Sequence, residues 1–568
     1  MVSDKGCVME KKGTGLKLLM PSAAVILTLI HIALVHGRDK VTFQWPEPWT
    51  FRVMCIVTVF VAFVFCFYLK TIHFVISLFQ KKDGYLYRAK LFAGYFLFMS
   101  IFWILTWPGI FKGDEFYTIR AALSFELSAM QSGLTSMFYI ITLLFFPSMA
   151  SIVFFQLLII CIIFSVVMGD ILKAFEGKKR LFFFLPFILF PVIDGNLFTL
   201  RASLVGWLFL LLLDRLVMLA AYKKDESGQL ERAKEYLIIT ALSGLICAWR
   251  SEFIYLIVAV PMLLFFRRKV MGIRIWQSCL CMLMIIVFWQ VFCVPNKIAA
   301  NGQNKYPISL VLNPVANLFT EVEDLRGPDV SGDVFTINEV VDAAQLRKDA
   351  SVRNISQYWN IPDVLPKDQL SRFMKASIRL IVYNPVKFLK YRWQTFAYTN
   401  GIYDDGHTNF PGGEDPNALP YLTYYDFNFG EFFVFSRPML GYALREKTIM
   451  LLGCRMKTET GTKGNIMMPV MYNVIPVVIL LLISLGLMIR YKKHTLTGVI
   501  VLLFLQFPLV FLTAPAMFFM YYFCLYLCGY CMIVISLSVA AKERAEKKSK
   551  RSGQDFDDKI RKKETQTL

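Results

Sequence analysis

"SIVFFQLLIICIIFSVVMGDILKAFEGKKR", Ser151 to Arg180, is an apolar run closed by Lys173, Lys178, Lys179 and Arg180. The run is close to the roughly 20 residues that a helix needs to span the hydrocarbon layer, and a basic cluster beyond it marks an end that resists translocation. The same unit recurs along the chain. Apolar runs extend from Leu18 to Val35, Phe51 to Tyr68, Leu91 to Ile110, Ile275 to Val294, Met467 to Ile489, Leu496 to Leu512 and Met517 to Ala540, with shorter ones between Leu181 and Phe266. Over 568 residues the chain is 56% hydrophobic and only 18% charged, more apolar than a soluble core requires. The reading is an all-α polytopic membrane protein. Its first run follows Lys11, Lys12 and Lys17 as a signal sequence would, but no small-residue cleavage site follows, so it reads as a retained anchor.

The net charge of +20 sits in short loops: Lys81 to Lys90, Lys173 to Arg180, Lys223 to Lys234, Arg267 to Arg274, Arg490 to Lys493 and the tail from Lys542. That distribution sets topology and excludes a nucleic-acid partner. With the N-terminus inside, the span ending at Ile110 delivers "WPGIFKGDEFYTIRAAL", Trp107 to Leu123, to the outer side. Counting back from the basic tail places residues 295–466 outside as well. Ser136 to Phe146 is too short to cross, and a crossing there would put Lys173 to Arg180 outside, so Tyr117 to Pro147 is expected to lie on the outer surface or dip in and return. About twelve spans follow, with both termini inside.

Two segments must go out and come back on short legs. Tyr236 to Phe266 is interrupted by Arg250, Ser251 and Glu252; Leu181 to Tyr222 is interrupted by "DGNLFTLR", which carries Asp194 and Arg201. Charged turns at membrane depth need protein or water around them, so the pair predicts a polar cavity in the outer half of the bilayer. Asp214 and Arg215, adjacent within a span, read as structural partners to neighbouring helices. The twelve cysteines lie almost entirely in apolar runs and imply neither a disulfide framework nor a metal site.

The organisation expected is 1–110 N-terminal spans; 111–150 outer loop with surface or re-entrant helices; 151–294 membrane core; 295–466 mainly helical extracytoplasmic domain; 467–541 C-terminal spans; 542–568 basic tail. In the outer domain, "LSRFMKASIRLIVYNPVKFLKYRWQTF" from Leu370 has helical spacing ended or kinked at Pro385. "NGIYDDGHTNFPGGEDP" from Asn400, with Asp404, Asp405 and His407, is either a plain surface loop or part of a substrate site.

The acidic pair after an apolar span, the surface helix next to it, the many spans and the late outer domain resemble the GT-C class of membrane glycosyltransferases. "PGIFKGDEFY", "NPVKFLKYRWQTF" and "LTAPAMFFMYYFCLYLCGY" (from Leu512) are similar to segments of Gram-positive multipass proteins grouped with that class. The resemblance implies an integral plasma-membrane enzyme with an extracytoplasmic active site. Such an enzyme moves a sugar from a polyprenyl-phosphate lipid to a glycan or other cell-surface acceptor, with a divalent metal as an open option.

The residues fit that chemistry independently. The acceptor hydroxyl must lose a proton as it attacks an oxocarbenium-like carbon, and a carboxylate near the membrane surface can take it. Asp114 is the candidate base and Glu115 its orienting or metal-binding neighbour; the alternative is a helix cap or an ion pair with Lys112. The departing phosphate needs cations, for which Arg201 and Arg250 are candidates; the alternative is snorkelling to lipid. Lys112, Asp194 and Glu252 complete the expected substrate site. Two rivals stand beside this reading: a lipid-linked glycan polymerase or ligase, and a lipid-linked-sugar flippase or transporter.

Overall fold

The computed structural model describes the chain except residues 1–4, 37–42, 44, 81–82, 112, 129–131, 176–177, 200, 222–225, 404–436, 460 and 566–568. Among the described residues, nine helices are long and apolar enough to cross a membrane. The chain runs through α1 (Lys5–His36), α2 (Phe51–Phe79), α3 (Asp83–Leu105), α4 (Gly113–Leu123), α5 (Gly133–Phe145), α6 (Met149–Ala174), α7 (Phe190–Leu197), α8 (Arg201–Ala221), α9 (Glu226–Trp249), α10 (Leu256–Met271) and α11 (Ile275–Phe292). A helical lobe follows, then α18 (Tyr442–Leu452), α19 (Ile475–Arg490), α20 (His494–Phe504), α21 (Gln506–Thr513) and α22 (Phe523–Thr565). The protein is thus all-α and polytopic, as its apolar runs require. The described strands are one antiparallel pair, β1 (Arg455–Thr458) with β2 (Gly461–Gly464), which periodicity did not signal because each strand has four residues.

Burial sorts the spans. In α6, α8 and α22, 72%, 78% and 67% of the apolar window is buried in protein, against 17% in α11, so the first three form the centre and α11 faces outward. A helix apolar on all sides can occupy either place; what separates them is small or polar residues where neighbours approach. Gly206 on α8 allows Phe523 of α22 to lie against it, with a Cβ there only 3.1 Å from the ring.

One end of this bundle is held by buried ions. Arg88 at the start of α3 bonds Asp170 at the end of α6 at 2.9 Å, and Arg215 of α8 bonds Asp170, Asp214 and, at 3.0 Å, Glu235 of α9. Arg215 therefore ties three helices together, as its position within a span led one to expect, while Asp214 pairs with Arg215 on the same helix. Charges in such a place persist only when paired in this way.

The opposite end carries the loops that bear on function. There Gln156 near the start of α6 donates to the carbonyls of Asn196, at 2.9 Å, and Phe198, at 2.6 Å, just before α8. The 13-residue α5 (Gly133–Phe145) packs between α4 and α6. Its N-terminus rests on the chain that follows α11: Ser132 Oγ donates to Asn296 Oδ1 at 2.7 Å, and any side chain at Gly133 would strike the Pro295 carbonyl. Its last carbonyls, Leu144 and Phe145, accept from His36 Nε2 at 2.7 Å and His31 Nε2 at 2.9 Å near the end of α1. Where Tyr236 was expected to open a short leg, α9 begins at Glu226, because the polar turn before it continues the helix.

After α12 (Val294–Ala300), whose Ala299 packs in the membrane core, the lobe has a core of its own, formed by α13 (Ile308–Phe319), α14 (Val330–Asn338), α15 (Ala343–Lys348), α16 (Lys367–Tyr383) and α17 (Pro385–Thr399). From α13 onward, Ile308, Leu312, Phe319, Ile337, Leu346, Phe373 and Leu380 pack together, separate from the membrane core. The helix break falls where Pro385 requires it. Asn384 then holds the corner, accepting from Arg326 N at 2.9 Å and donating to Arg326 O at 2.8 Å.

Candidate functional site

The acidic loop is built against the loop that carries Asp194. After α3 the chain turns at Gly109, whose φ of +139° and contact with Val153 leave no room for a side chain. Ile110 then pairs with Phe198 in a parallel bridge, its N–H donating to the Leu197 carbonyl at 3.1 Å. Arg445 of α18, 2% exposed, holds the turn from the other side, with Nη2 donating to Gly109 O at 2.9 Å and Nε to Thr106 O at 3.3 Å. α4 starts immediately afterwards, placing Asp114 and Glu115 in its first turn, where the helix dipole favours negative charge.

The two carboxylates are in different surroundings. Asp114 is exposed and Glu115 is fully buried. Behind them, Tyr139 of α5 donates to the Thr199 carbonyl at 3.0 Å. Burial pushes that phenol well up, and the nearby Glu115 charge, with Asp114 after it, adds to the effect. Tyr139 thus lies within electrostatic reach of the acidic pair while it bonds Thr199, two residues before Arg201.

Arg201 opens α8 and meets the other predicted turn. Arg250, 4% exposed, donates from Nε to Glu252 Oε1 at 2.8 Å and from Nη2 to the same oxygen, with Nη1 3.5 Å from the Met520 carbonyl. Its guanidinium lies 5.9 Å from the centre of the Tyr521 ring. For Glu252, burial favours the neutral acid, but Arg250 and then Arg201 more than offset it and hold the carboxyl below its ordinary range. Among the described residues Arg201 makes neither an ion pair nor a hydrogen bond, although its charge reaches both Glu252 and Tyr521. The charge of Tyr306, from the approach to the lobe, also acts on Arg250 and Tyr521.

Asp194 takes a different place. It is fully buried, with Oδ2 3.0 Å from the Tyr472 hydroxyl, which is also 2.8 Å from the Leu452 carbonyl. Burial, and the Asp194 charge after it, push the neighbouring Cys454 thiol up to about 11. Asp194 therefore sits behind the loop, joining α7 to the start of the C-terminal spans. Lys112, Asp404, Asp405 and His407 lie outside the described residues. No group of three or more His, Cys, Asp or Glu side chains that could hold a metal occurs among the described residues.

The expected cluster therefore forms in part: Arg250 pairs with Glu252 and the Arg201 charge reaches that pair, while the charges of Glu115 and Asp114 reach Tyr139, which donates to the Thr199 carbonyl. Tyr139, Tyr306, Tyr521 and Arg445 were not singled out from sequence. Tyr521 lies in one of the three stretches carrying the resemblance, whereas Arg445 stands in an ordinary amphiphilic helix that gives no signal. No family model, no curated protein and no solved structure matches this chain.

Proposed function

We propose that the protein is a GT-C-type glycosyltransferase of the plasma membrane, using a polyprenyl-phosphate sugar and acting on a cell-surface acceptor at the outer face. The observation that carries this reading is Arg201: a partly exposed cation with no hydrogen bond or ion pair among the described residues, its charge reaching the neutralised Arg250–Glu252 pair, at the same bundle end as Asp114. A lipid phosphate is an anion that such a guanidinium can bind through paired N–H donors.

In the reaction, the acceptor hydroxyl attacks the anomeric carbon, its proton passes to the Asp114 carboxylate, and the bond from that carbon to the phosphate oxygen breaks. The polyprenyl phosphate leaves with the electron pair, its added charge facing Arg201. Arg250, already neutralised by Glu252, holds that carboxylate in place beside the Met520 carbonyl and the Tyr521 ring.

The topology that goes with this function has about twelve crossings, the nine long apolar helices together with residues 178–197, α9 and α10. The basic clusters then lie in the cytoplasm, and the lobe and α4 outside. The test is incubation of purified protein in lipid nanodiscs with a labelled polyprenyl-phosphate monosaccharide and a cell-wall acceptor fraction. Appearance of free polyprenyl phosphate with label in the acceptor supports transfer; labelled lipid that crosses the bilayer intact would establish a carrier instead.

A further inference from the structure

The lobe has an apolar stripe that its own core does not use. On α16 and α17, Ile378, Val382, Tyr383, Val386, Leu389 and Trp393 are 48–79% exposed, Val386 most of all. Six apolar side chains on one side of two consecutive helices form a surface that water does not favour.

The order of residues around α17 says what covers it. At 100° per residue, Arg392 and Phe396 fall together and pack on the end of a span: Arg392 donates to the Phe511 and Ala514 carbonyls, and the Phe396 ring lies 5.7 Å from both Phe507 and Phe511. The next sector holds Leu389, Trp393 and Val386. Beyond it come Lys390 and Lys387, and the remaining side, with Tyr391, faces the lobe core. The exposed apolar sector is therefore continuous with the outer surface of the span, where Leu505 and Leu512 are 39% and 38% exposed. A surface that adjoins a span's flank, carries Trp at one edge and is bordered by Lys has the layout of a helix lying in the headgroup boundary. Trp49, next to the Thr50 cap of α2 at the same bundle end, is 48% exposed at a comparable position.

We infer that α16 and α17 lie in the lipid interface, with Val382, Val386, Leu389 and Trp393 in the acyl boundary and Lys387 and Lys390 at headgroup level. The occupant of the stripe is the bilayer, and the lobe is held against the membrane over the cluster of Arg201, Arg250 and Glu252. This inference does not depend on the reaction proposed above.

The experiment places the photoreactive residue p-benzoylphenylalanine at Val386 or Trp393 of the full chain, reconstituted in vesicles of phosphatidylethanolamine and phosphatidylglycerol. Two references are used: Leu283, 58% exposed on α11, and Glu323, 68% exposed on the lobe. Both test positions are exposed, so the substitutions remove little packing. The expected result is lipid adducts at 386 and 393 within about threefold of the yield at 283, and at least about tenfold above that at 323. Adduct yields no higher than at 323 overturn the inference, as does a crosslinked dimer formed in place of lipid adducts.

Discussion

Arg392 of the lobe donates from Nη2 to the carbonyl of Ala514 at 2.6 Å, at the end of α21, with Nε on Phe511 O at 2.9 Å. The guanidinium thus closes carbonyls that a helix C-terminus leaves open, and the dipole there favours a cation. Burial pushes Arg392 down to about 10, with nearby Tyr522 acting in the opposite direction, so it is charged at neutral pH. Among the described residues no carboxylate pairs with it. Two stretches far apart in the chain, residues 384–396 and 512–530, are joined by this contact.

Arg392→Met keeps the bulk and removes the donors, leaving buried carbonyls unsatisfied at about 1–3 kcal/mol each. A loss of about 2–4 kcal/mol is expected, and Arg392→Lys should recover less than half of it because an ammonium cannot reproduce the fork. Thermal unfolding in detergent, followed by intrinsic fluorescence, measures both variants.

Gly109→Ala tests the turn that precedes the acidic loop. The new Cβ would meet the Val153 side chain and the Leu197 carbonyl oxygen, the latter at 3.3 Å, on a backbone with φ +139°. Strain and overpacking together should cost about 1–3 kcal/mol. Faster proteolysis between Ile110 and Leu123 than in the parent is the expected readout.

Arg201 and Glu252 should separate binding from folding. Arg201→Ala removes a cation that makes no ion pair among the described residues, so stability should hold within about 0.5 kcal/mol. Donor affinity should drop about 10- to 100-fold, the equivalent of one charge-assisted hydrogen bond to phosphate. Glu252→Gln instead leaves Arg250 buried without its counter-charge and should destabilise by about 3–5 kcal/mol. Binding of a polyprenyl-phosphate analogue and unfolding in the same detergent give the two numbers for each variant.

Acid should weaken the same site in a definite direction. The Glu252 carboxyl is held below its unfolded value of about 4.3, so the stability it contributes is complete above that pH and is lost as pH falls through the lower folded value. Glu252→Gln should have a shallower loss of stability below about pH 4.3 than the parent. Unfolding scans between neutral and acid pH on both proteins measure it.

Asp114→Asn keeps the shape of an exposed first-turn residue while removing its basicity. Turnover should fall by at least about a hundredfold, with stability lowered by less than about 1 kcal/mol from the lost dipole interaction. Glu115→Gln changes a buried group and should affect unfolding more than Asp114→Asn does. Turnover within a few-fold of the parent in Asp114→Asn would move the base elsewhere.

The spans, the helix break at Asn384–Pro385 and the role of Arg215 as a tie between helices could be read from the sequence. Each follows from a local property: length of an apolar run, a missing N–H, or a charge that cannot stay unpaired in hydrocarbon. The convergence of Arg201 with Arg250 and Glu252 was legible only as two polar turns expected at similar depth. How near their charges lie depends on how α8, α9 and the Tyr521 turn pack, which no local pattern encodes. The same holds for the acidic pair: adjacency of Asp114 and Glu115 says that they point apart, but only α5, folded back against α4, decides that Glu115 is buried and Asp114 faces out. Arg392 and Arg445 lie further from what sequence can tell, because a buried guanidinium serving carbonyls has the composition of any surface arginine until the chain closes over it.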